Sequence, residues 1–453
     1  MNIVIVGCGK IGSTILSSLL SEGHDIVVID SNPAVISDVS NIYDSMYVCG
    51  SGTDCDTLHE AGVEQAELFV SMTGSDELNM LSCFLAKRMG AKHTIARIRN
   101  PEYNDKSLSF MRQQLDLSMS INPDLMAAQE MYHILKLPSA LKIDYFSRRN
   151  FEMVELRLKE DSPLCGLRLI DLRKKYAEAK FLVCVVQRGD EIYIPDGNFV
   201  LQSGDRIELT AAPQEFLKLL RMMGIMQKQA RSVMILGASR MAYYLASMLL
   251  NSGSSVTIIE KDHVRCQEIS ELLPSATVIC GDGGQQELLL EEGIASVDAF
   301  VSLTGMDEEN ILISYFASSQ GVPKVIAKVN RDGMGFIAEK LGLDCTISSR
   351  GVASNMLTRY ARALENSLGS NVETLYRLMD GKAEALEFRV QGDFVSLNVP
   401  IQEMQLKSGI LIAGILRARK TIIPTGSDVI LPDDRVIVLA AGMQLNDLAD
   451  ILK

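Results

Sequence analysis

An internal duplication, together with short apolar runs that alternate with amphipathic stretches, predicts an α/β chain. The fold class is tandem duplicated Rossmann-like parallel-sheet domains, each followed by a small α+β domain. The stretch IVIVGCGKIGSTILSSLLSEGHDIVVID (3–30) recurs as VMILGASRMAYYLASMLLNSGSSVTIIE (233–260). LHEAGVEQAELFVSMTGSDELNM (58–80) recurs as LLEEGIASVDAFVSLTGMDEENI (289–311), and TIARIRN (94–100) as VIAKVNR (325–331). So many matches in the same order identify a repeat.

In the first copy, strands are expected at 2–6, 26–30, 46–49, 67–71 and 94–98. They are continuously apolar, as strands covered on both faces are, and the segments between them have helical period. The strand-rich part follows: 161–211 reads as strand, helix, hairpin and strand, and 395–441 is its partner. Both carry Ile-Pro before a short turn and close on Asp-Arg (Asp205-Arg206, Asp434-Arg435). Between the parts, helices are expected at about 124–137 and 352–368. Their apolar stripes have nothing left within their own unit to cover them. Packing on their own domain and a dimer contact both satisfy such a stripe. The resulting division is a sheet domain at 1–124, a linking helix at 125–140 and a small domain at 141–228, then a sheet domain at 229–350, a linking helix at 351–370 and a small domain at 371–453.

A chain of 453 residues has room for several cores, and 47% apolar with 22% charged residues suits a globular protein. A formal charge of −13 excludes a general nucleic-acid binder, which needs a basic footprint. No apolar run approaches the roughly 20 residues that cross a bilayer, and no secretory signal precedes the first strand. Nine cysteines without a C-x-x-C pair, and five scattered histidines, predict neither a disulfide framework nor a metal site.

Gly7-Cys8-Gly9-Lys10-Ile11-Gly12 follows the first strand and opens a helix, and Asp30 stands 18 residues beyond Gly12. That context turns a weak glycine pattern into a dinucleotide-type site. Gly7 permits the tight turn, Gly9 close approach to a pyrophosphate, and Gly12 close helix–strand packing. The helix amides face the phosphates, with Lys10 as counter-charge. Asp30 can accept both hydroxyls of an unphosphorylated ribose. The other strand ends add Gly50, Ser51 and Thr53, then Thr73 and Gly74, then Arg97 as the group for a terminal phosphate or a base. In the second copy Gly237 is kept, but Ser239 puts a side chain on the pyrophosphate path, beside Arg240 and Ala242. Glu260, Thr304, Gly305 and Lys328 hold the matching positions. The second site is therefore expected to be weakened or empty.

No residues are assigned a catalytic role. Tyr132 and Lys136, with Ser118 and Ser120 upstream, have short-chain dehydrogenase spacing but lack that family's glycine turn. An NAD-dependent oxidoreductase is the rival reading.

The domain order, GCGKIG with Asp30, the T-G-x-D-E-x-N run at 73–79 repeated at 304–310, and the AGV and EGI turns at 61–63 and 292–294 resemble the TrkA family. These are cytosolic regulators of bacterial potassium-uptake transporters, built from RCK (regulator of potassium conductance) modules. The resemblance spans essentially the whole chain. It implies a nucleotide-sensing gating ring and not an enzyme, with NAD(H), or ATP and ADP, in the first sheet domain. It also implies a homo-oligomer, a tetramer in the family, on an integral membrane potassium-transporter subunit at the inner face of the cell membrane. Gly7 to Ile11 would hold phosphates, Asp30 the adenosine ribose and Arg97 a phosphate, with Thr73 and Gly74 lining the pocket. Ser51 stands where the family often has aspartate, while the second copy keeps Asp282. A regulator of a different cation transporter fits the same residues.

Overall fold

The computed structural model describes residues 1–453 apart from 104, 147–150, 367–371, 419 and 446. Strands β1 (Asn2–Val6), β2 (Asp25–Asp30), β3 (Met46–Cys49), β4 (Leu68–Ser71), β5 (His93–Arg97) and β6 (Met119–Ile121) form one sheet in the order β3-β2-β1-β4-β5-β6. Every pairing is parallel. Residues 3–6 of β1 and all of β4 are buried, which explains their unbroken apolar character. The order reverses between β1 and β4, and ligands of such sheets bind at the carboxyl ends of the strands beside that switch. The sixth strand is too short and mixed to be seen in the sequence.

The first small domain is an antiparallel sheet of β7 (Lys142–Phe146), β8 (Phe151–Arg157), β9 (Phe181–Arg188), β10 (Glu191–Tyr193) and β11 (Arg206–Ala211), in the order β10-β9-β11-β8-β7. The strand expected to begin at 161 is absent. Pro163 and a left-handed Gly166 (φ +79°) make that stretch a loop, and β8 takes its place in the sheet. The expected hairpin is present as β9–β10. The Asp-Arg signature closes each small domain, because buried Asp205 accepts Arg188 at 2.8 Å and buried Asp434 accepts Arg417 at 2.8–2.9 Å.

The second copy repeats the plan. Strands β12 (Ser232–Leu236), β13 (Ser255–Glu260), β14 (Thr277–Cys280), β15 (Ala299–Ser302), β16 (Lys324–Lys328) and β17 (Thr346–Ile347) run in the order β14-β13-β12-β15-β16-β17. Its small domain holds β18 (Val372–Leu378), β19 (Ala383–Arg389), β20 (Ile410–Arg417), β21 (Lys420–Ile422) and β22 (Arg435–Ala441). A short 3-10 turn, Ile401–Glu403, replaces the helix found at Leu169–Lys175 in the first.

The linking helices span Pro123–Lys136 and Ser349–Asn366; expected residues 367 and 368 lie outside the described residues. Asn122 caps the first by accepting Leu125 N–H at 3.0 Å. The buried residues of each stripe pack on the sheet domain of the other copy. Ala127, Ala128, Met131, Ile134 and Leu135 enter the core of the second sheet domain against helix Arg240–Asn251. Ala353, Leu357 and Ala361 enter the core of the first against helix Lys10–Ser21. Each copy thus lends its linking helix to the other, a non-local exchange that periodicity alone cannot express. At roughly 1.5–3 kcal/mol per large apolar side chain buried, these stripes hold the two copies as one body.

Candidate functional site

The Gly7–Gly12 turn leaves β1 and starts helix Lys10–Ser21. Gly7 is left-handed (φ +87°), its amide donates to Ile29 at 2.8 Å, and a Cβ there would lie 2.9 Å from Thr73 N. A Cβ on Gly12 would lie 2.0 Å from the Gly7 carbonyl oxygen, so only glycine lets the helix start so close to the turn. Gly9 and Gly74 differ in kind: a Cβ on either meets nothing within 4 Å. The space in front of these two residues is open. Gly9 caps the helix without any side-chain hydrogen bond, leaving the helix N-terminus free for an anion.

Half-buried Asp30 ends β2. Its Oδ2 accepts the Cys8 amide at 2.8 Å and its Oδ1 the Asn32 amide at 2.9 Å. The carboxylate is thereby fixed, with lone pairs remaining on both oxygens. Cys8 is buried, and burial, reinforced by the Asp30 charge, pushes its thiol up to about 12, which leaves it no nucleophile. Lys10 is exposed at the first helical position. Ser51 and Thr53 hydrogen-bond each other at 2.9 Å beyond β3.

Asn79, which sequence reasoning met only as a letter of the repeated run, ties the remaining strand ends together. Its buried Oδ1 accepts Thr73 N at 2.8 Å and Thr73 Oγ1 at 2.7 Å, while its Nδ2 donates to the Arg97 carbonyl at 2.9 Å. Asp76 accepts the amides of Arg99 and Asn100 at 2.8 Å. Arg97 is no surface arginine: only 7% exposed, it donates to the Thr73 carbonyl. Burial, then the neighbouring Arg99, lowers its guanidinium to about 10. Among the described residues no carboxylate forms a salt bridge with it.

The second copy has the same backbone with different chemistry. Glu260 accepts the Ala238 amide at 2.7 Å and the Asp262 amide at 2.9 Å. Asn310 repeats the role of Asn79 with Thr304, and Lys328 donates to the Thr304 carbonyl at 3.0 Å. A Cβ on Gly305 again meets open space. The helix N-terminus is not free, however. Ser239 Oγ accepts the Ala242 amide at 3.3 Å, and Arg265 reaches across to donate to the Ala238 carbonyl at 2.7 Å. Arg265 has only Val35 as its counterpart, and no motif announces it.

The two turns face one another across the exchanged helices. Asn122 donates to Tyr244 at 3.0 Å, and Tyr244 donates to the Arg99 carbonyl at 2.8 Å. Arg240 of the second turn acts on Arg97 of the first, Lys10 acts on Lys328, and Asp124 acts on both Arg97 and Lys328. Tyr132 and Lys136 lie apart from this centre, with the Lys136 ammonium 5.2 Å above the Tyr132 ring. A cavity of about 690 Å³ elsewhere, between the small domains, the linking helices and the second sheet domain, is lined by charges of both signs, among them Glu130, Lys142, Asp144 and Arg359. No helix among the described residues is long and apolar enough to cross a membrane.

The TrkA-N domain family matches residues 3–113 and again 233–349, and the TrkA-C domain family matches 153–224 and 387–453. A Trk system potassium uptake protein TrkA homolog from Archaeoglobus fulgidus is 31% identical over 453 residues, covering 100% of both chains. The Trk system potassium uptake protein TrkA of Vibrio alginolyticus is 30% identical over 444 residues, covering 97% of this chain and 95% of its own. The crystal structure of the GsuK RCK domain superposes with a TM-score of 0.65 at 18% identity over 97% of this chain and 92% of that one. The GsuK channel bound to NAD superposes at 0.64 with 17% identity, over 97% and 77%.

Proposed function

The chain belongs to the TrkA family, and from that membership we propose that it is the regulatory subunit of a Trk-type potassium-uptake system, binding a nucleotide and gating an integral membrane partner. The observation that carries the reading is the uncapped helix start at Gly9, open toward solvent and flanked by the fixed carboxylate of Asp30. Gly7, Cys8, Gly9, Lys10, Ile11 and Gly12 would hold the phosphates and Asp30 an adenosine ribose. Ser51, Thr53, Thr73, Gly74 and Arg97 would line the remainder. NAD(H) suits the acidic ribose partner, and ATP or ADP would use the same groups; the GsuK channel, which has a similar fold, has been solved bound to NAD and bound to ADP. Gly237, Ser239, Arg240, Glu260, Thr304, Gly305 and Lys328 form a weakened second site, its helix start already capped from within.

Regulation follows from the pairing of the two turns. A bound anion that neutralises Arg97 and Lys10 changes the charge felt by Arg240 and Lys328, and only such a differential interaction can shift the two copies between states. Matching exposed apolar faces on the two sheet domains are the surfaces for a homo-oligomeric ring, a tetramer as in the family. The partner would hold this ring at the inner face of the cell membrane.

Calorimetric titration of NADH, NAD, ATP and ADP, beside an Asp30→Ala variant, tests the proposal. Binding near one nucleotide per chain that the variant loses, without oxidation of NADH, is the expected result. No binding of any of the four overturns the sensor reading, and turnover of NADH overturns it in favour of an oxidoreductase.

A further inference from the structure

Two thiols and an imidazole converge beside Glu260 in the second copy. Cys266 lies on helix His263–Leu272, is 6% exposed, and donates to the Glu260 carbonyl at 3.2 Å. Cys280 ends β14, where it is the register partner of Glu260, and it is exposed. Both thiols thus lie against Glu260, Cys266 by contact with its carbonyl and Cys280 by strand register. His263 Nδ1 lies 3.6 Å from Cys280 Sγ, one helical turn before Cys266. The first copy keeps Cys49 at the position of Cys280, as register partner of Asp30, but has Ile36 where Cys266 stands. The arrangement is therefore a property of the degenerate copy and not of the duplicated fold.

We infer that Cys266 and Cys280 form a reversible dithiol–disulfide site that closes beside the Glu260 carboxylate. The exposed Cys280, with His263 able to take its proton, is the thiol that a peroxide meets first. Its sulfur attacks the O–O bond, giving the sulfenic acid and releasing water or an alcohol. The Cys266 sulfur then attacks the Cys280 sulfur, the S–S bond forms, and hydroxide leaves to take up the thiol proton as water. Two thiols and one peroxide thus give one disulfide, and a small-molecule or protein dithiol reverses the change. Burial, with the neighbouring Cys280 next in weight, pushes the Cys266 thiol up to about 12, so it is suited to resolve the sulfenic acid and not to meet oxidant itself. The disulfide would tie helix His263–Leu272 to β14 at the ribose end of the second turn. That consequence for ligand access rests on the nucleotide reading, whereas the disulfide itself does not.

The test treats the full chain with a small excess of hydrogen peroxide and maps peptides without reduction. The expected product links the peptides of Cys266 and Cys280, lighter by two hydrogen atoms, and dithiothreitol restores both thiols. In Cys266→Ser, Cys280 should instead carry sulfinic acid, and in Cys280→Ser the link should vanish with Cys266 still reduced. His263→Ala should slow the linkage several-fold. Oxygen adducts on Cys280 of the unaltered chain without a link, or oxidation of Cys49 and Cys55 while Cys280 stays reduced, would overturn the site. Because the readout is mass alone, its failure is distinct from a failure to bind nucleotide.

Discussion

Glu22, which ends the helix that begins at Gly9, accepts a hydrogen bond from Arg362 on the linking helix of the other copy. Arg362 in turn grips Glu384 of β19 through two bonds at 3.1 Å, and Arg377 of β18 also reaches Glu22. One short network therefore joins the far end of the nucleotide helix to the second small domain. In the second copy Ser252 ends the corresponding helix, so no carboxylate occupies the equivalent place. The open turn and the carboxylate of this connection thus stand at opposite ends of one helix.

Removing the Glu22 charge should be costly. Burial alone would raise its pKa, but the hydrogen bond and charge of Arg362, with Arg377, outweigh burial and hold it below the ordinary carboxylate value. Its stabilising contribution is thus present above the unfolded value, about 4.3, and is lost as pH falls through the lower folded value. Glu22→Gln should lower stability at neutral pH by about 3 kcal/mol, the order for breaking a buried pair, and should flatten the acid limb. Urea unfolding of both proteins at pH 7 and pH 4 checks it. Equal acid limbs would remove Glu22 from the account.

The parts legible in the sequence were those made by neighbouring residues. Ile3 to Asp30 contains a strand, a glycine turn, a helix and the acid that the turn needs, and the repeat supplied the second example. What stayed hidden depends on partners far along the chain. The stripe at about 124–137 was visible, but its partner, helix Arg240–Asn251, was not. Arg97 could be placed at a strand end, yet its burial, and the charge of Arg240 acting on it from the second copy, could not. Arg265 closes the second turn from the next helix, and nothing local marks it.

Glu208 on β11 gives the opposite pH behaviour. Burial, then the carboxylates of Glu155 and Asp144, raise its pKa, against the opposing Lys142 and Arg206 charges. The native chain therefore keeps a proton that the unfolded chain has released, and this contribution fades as pH rises through the folded value. Glu208→Gln should match the parent near pH 4 and exceed it at pH 8. The gain in Tm should be about 1 °C for each kcal/mol recovered, because a chain of 453 residues unfolds with roughly 2.1 cal/mol/K of entropy per residue. Scanning calorimetry at both pH values decides, and a lower Tm at pH 8 would mean that the charged form is the one the fold uses.

Assembly should depend on duplicated apolar faces. Leu81 and Leu312 stand at matching positions and are 49% and 63% exposed; Phe110 and Phe336 match likewise at 64% and 62%. Exposed patches of this kind mark interfaces, and two equivalent faces on one chain permit a closed ring. Leu312→Asp combined with Phe336→Asp should leave nucleotide binding intact and reduce the mass measured by light scattering. An unchanged mass would place the interface elsewhere.

The strongest test exchanges the residues that distinguish the two turns. Gly9 and Ser239 share nearly the same backbone (φ −66° and −67°), so Gly9→Ser introduces no strain, and its Cβ meets open space. The new hydroxyl should cap the helix as Ser239 does, competing with a bound phosphate for an amide. A hydrogen bond to a charged group contributes roughly 1.5–3 kcal/mol, so affinity at the first site should fall by about 10- to 150-fold. Ser239→Gly should open the second helix start, while Arg265 still lies across the turn. Added Arg265→Val, its first-copy counterpart, should therefore be needed before calorimetry counts a second nucleotide per chain. A Gly9→Ser variant that binds as tightly as the parent would show that the free helix start is not where the anion sits.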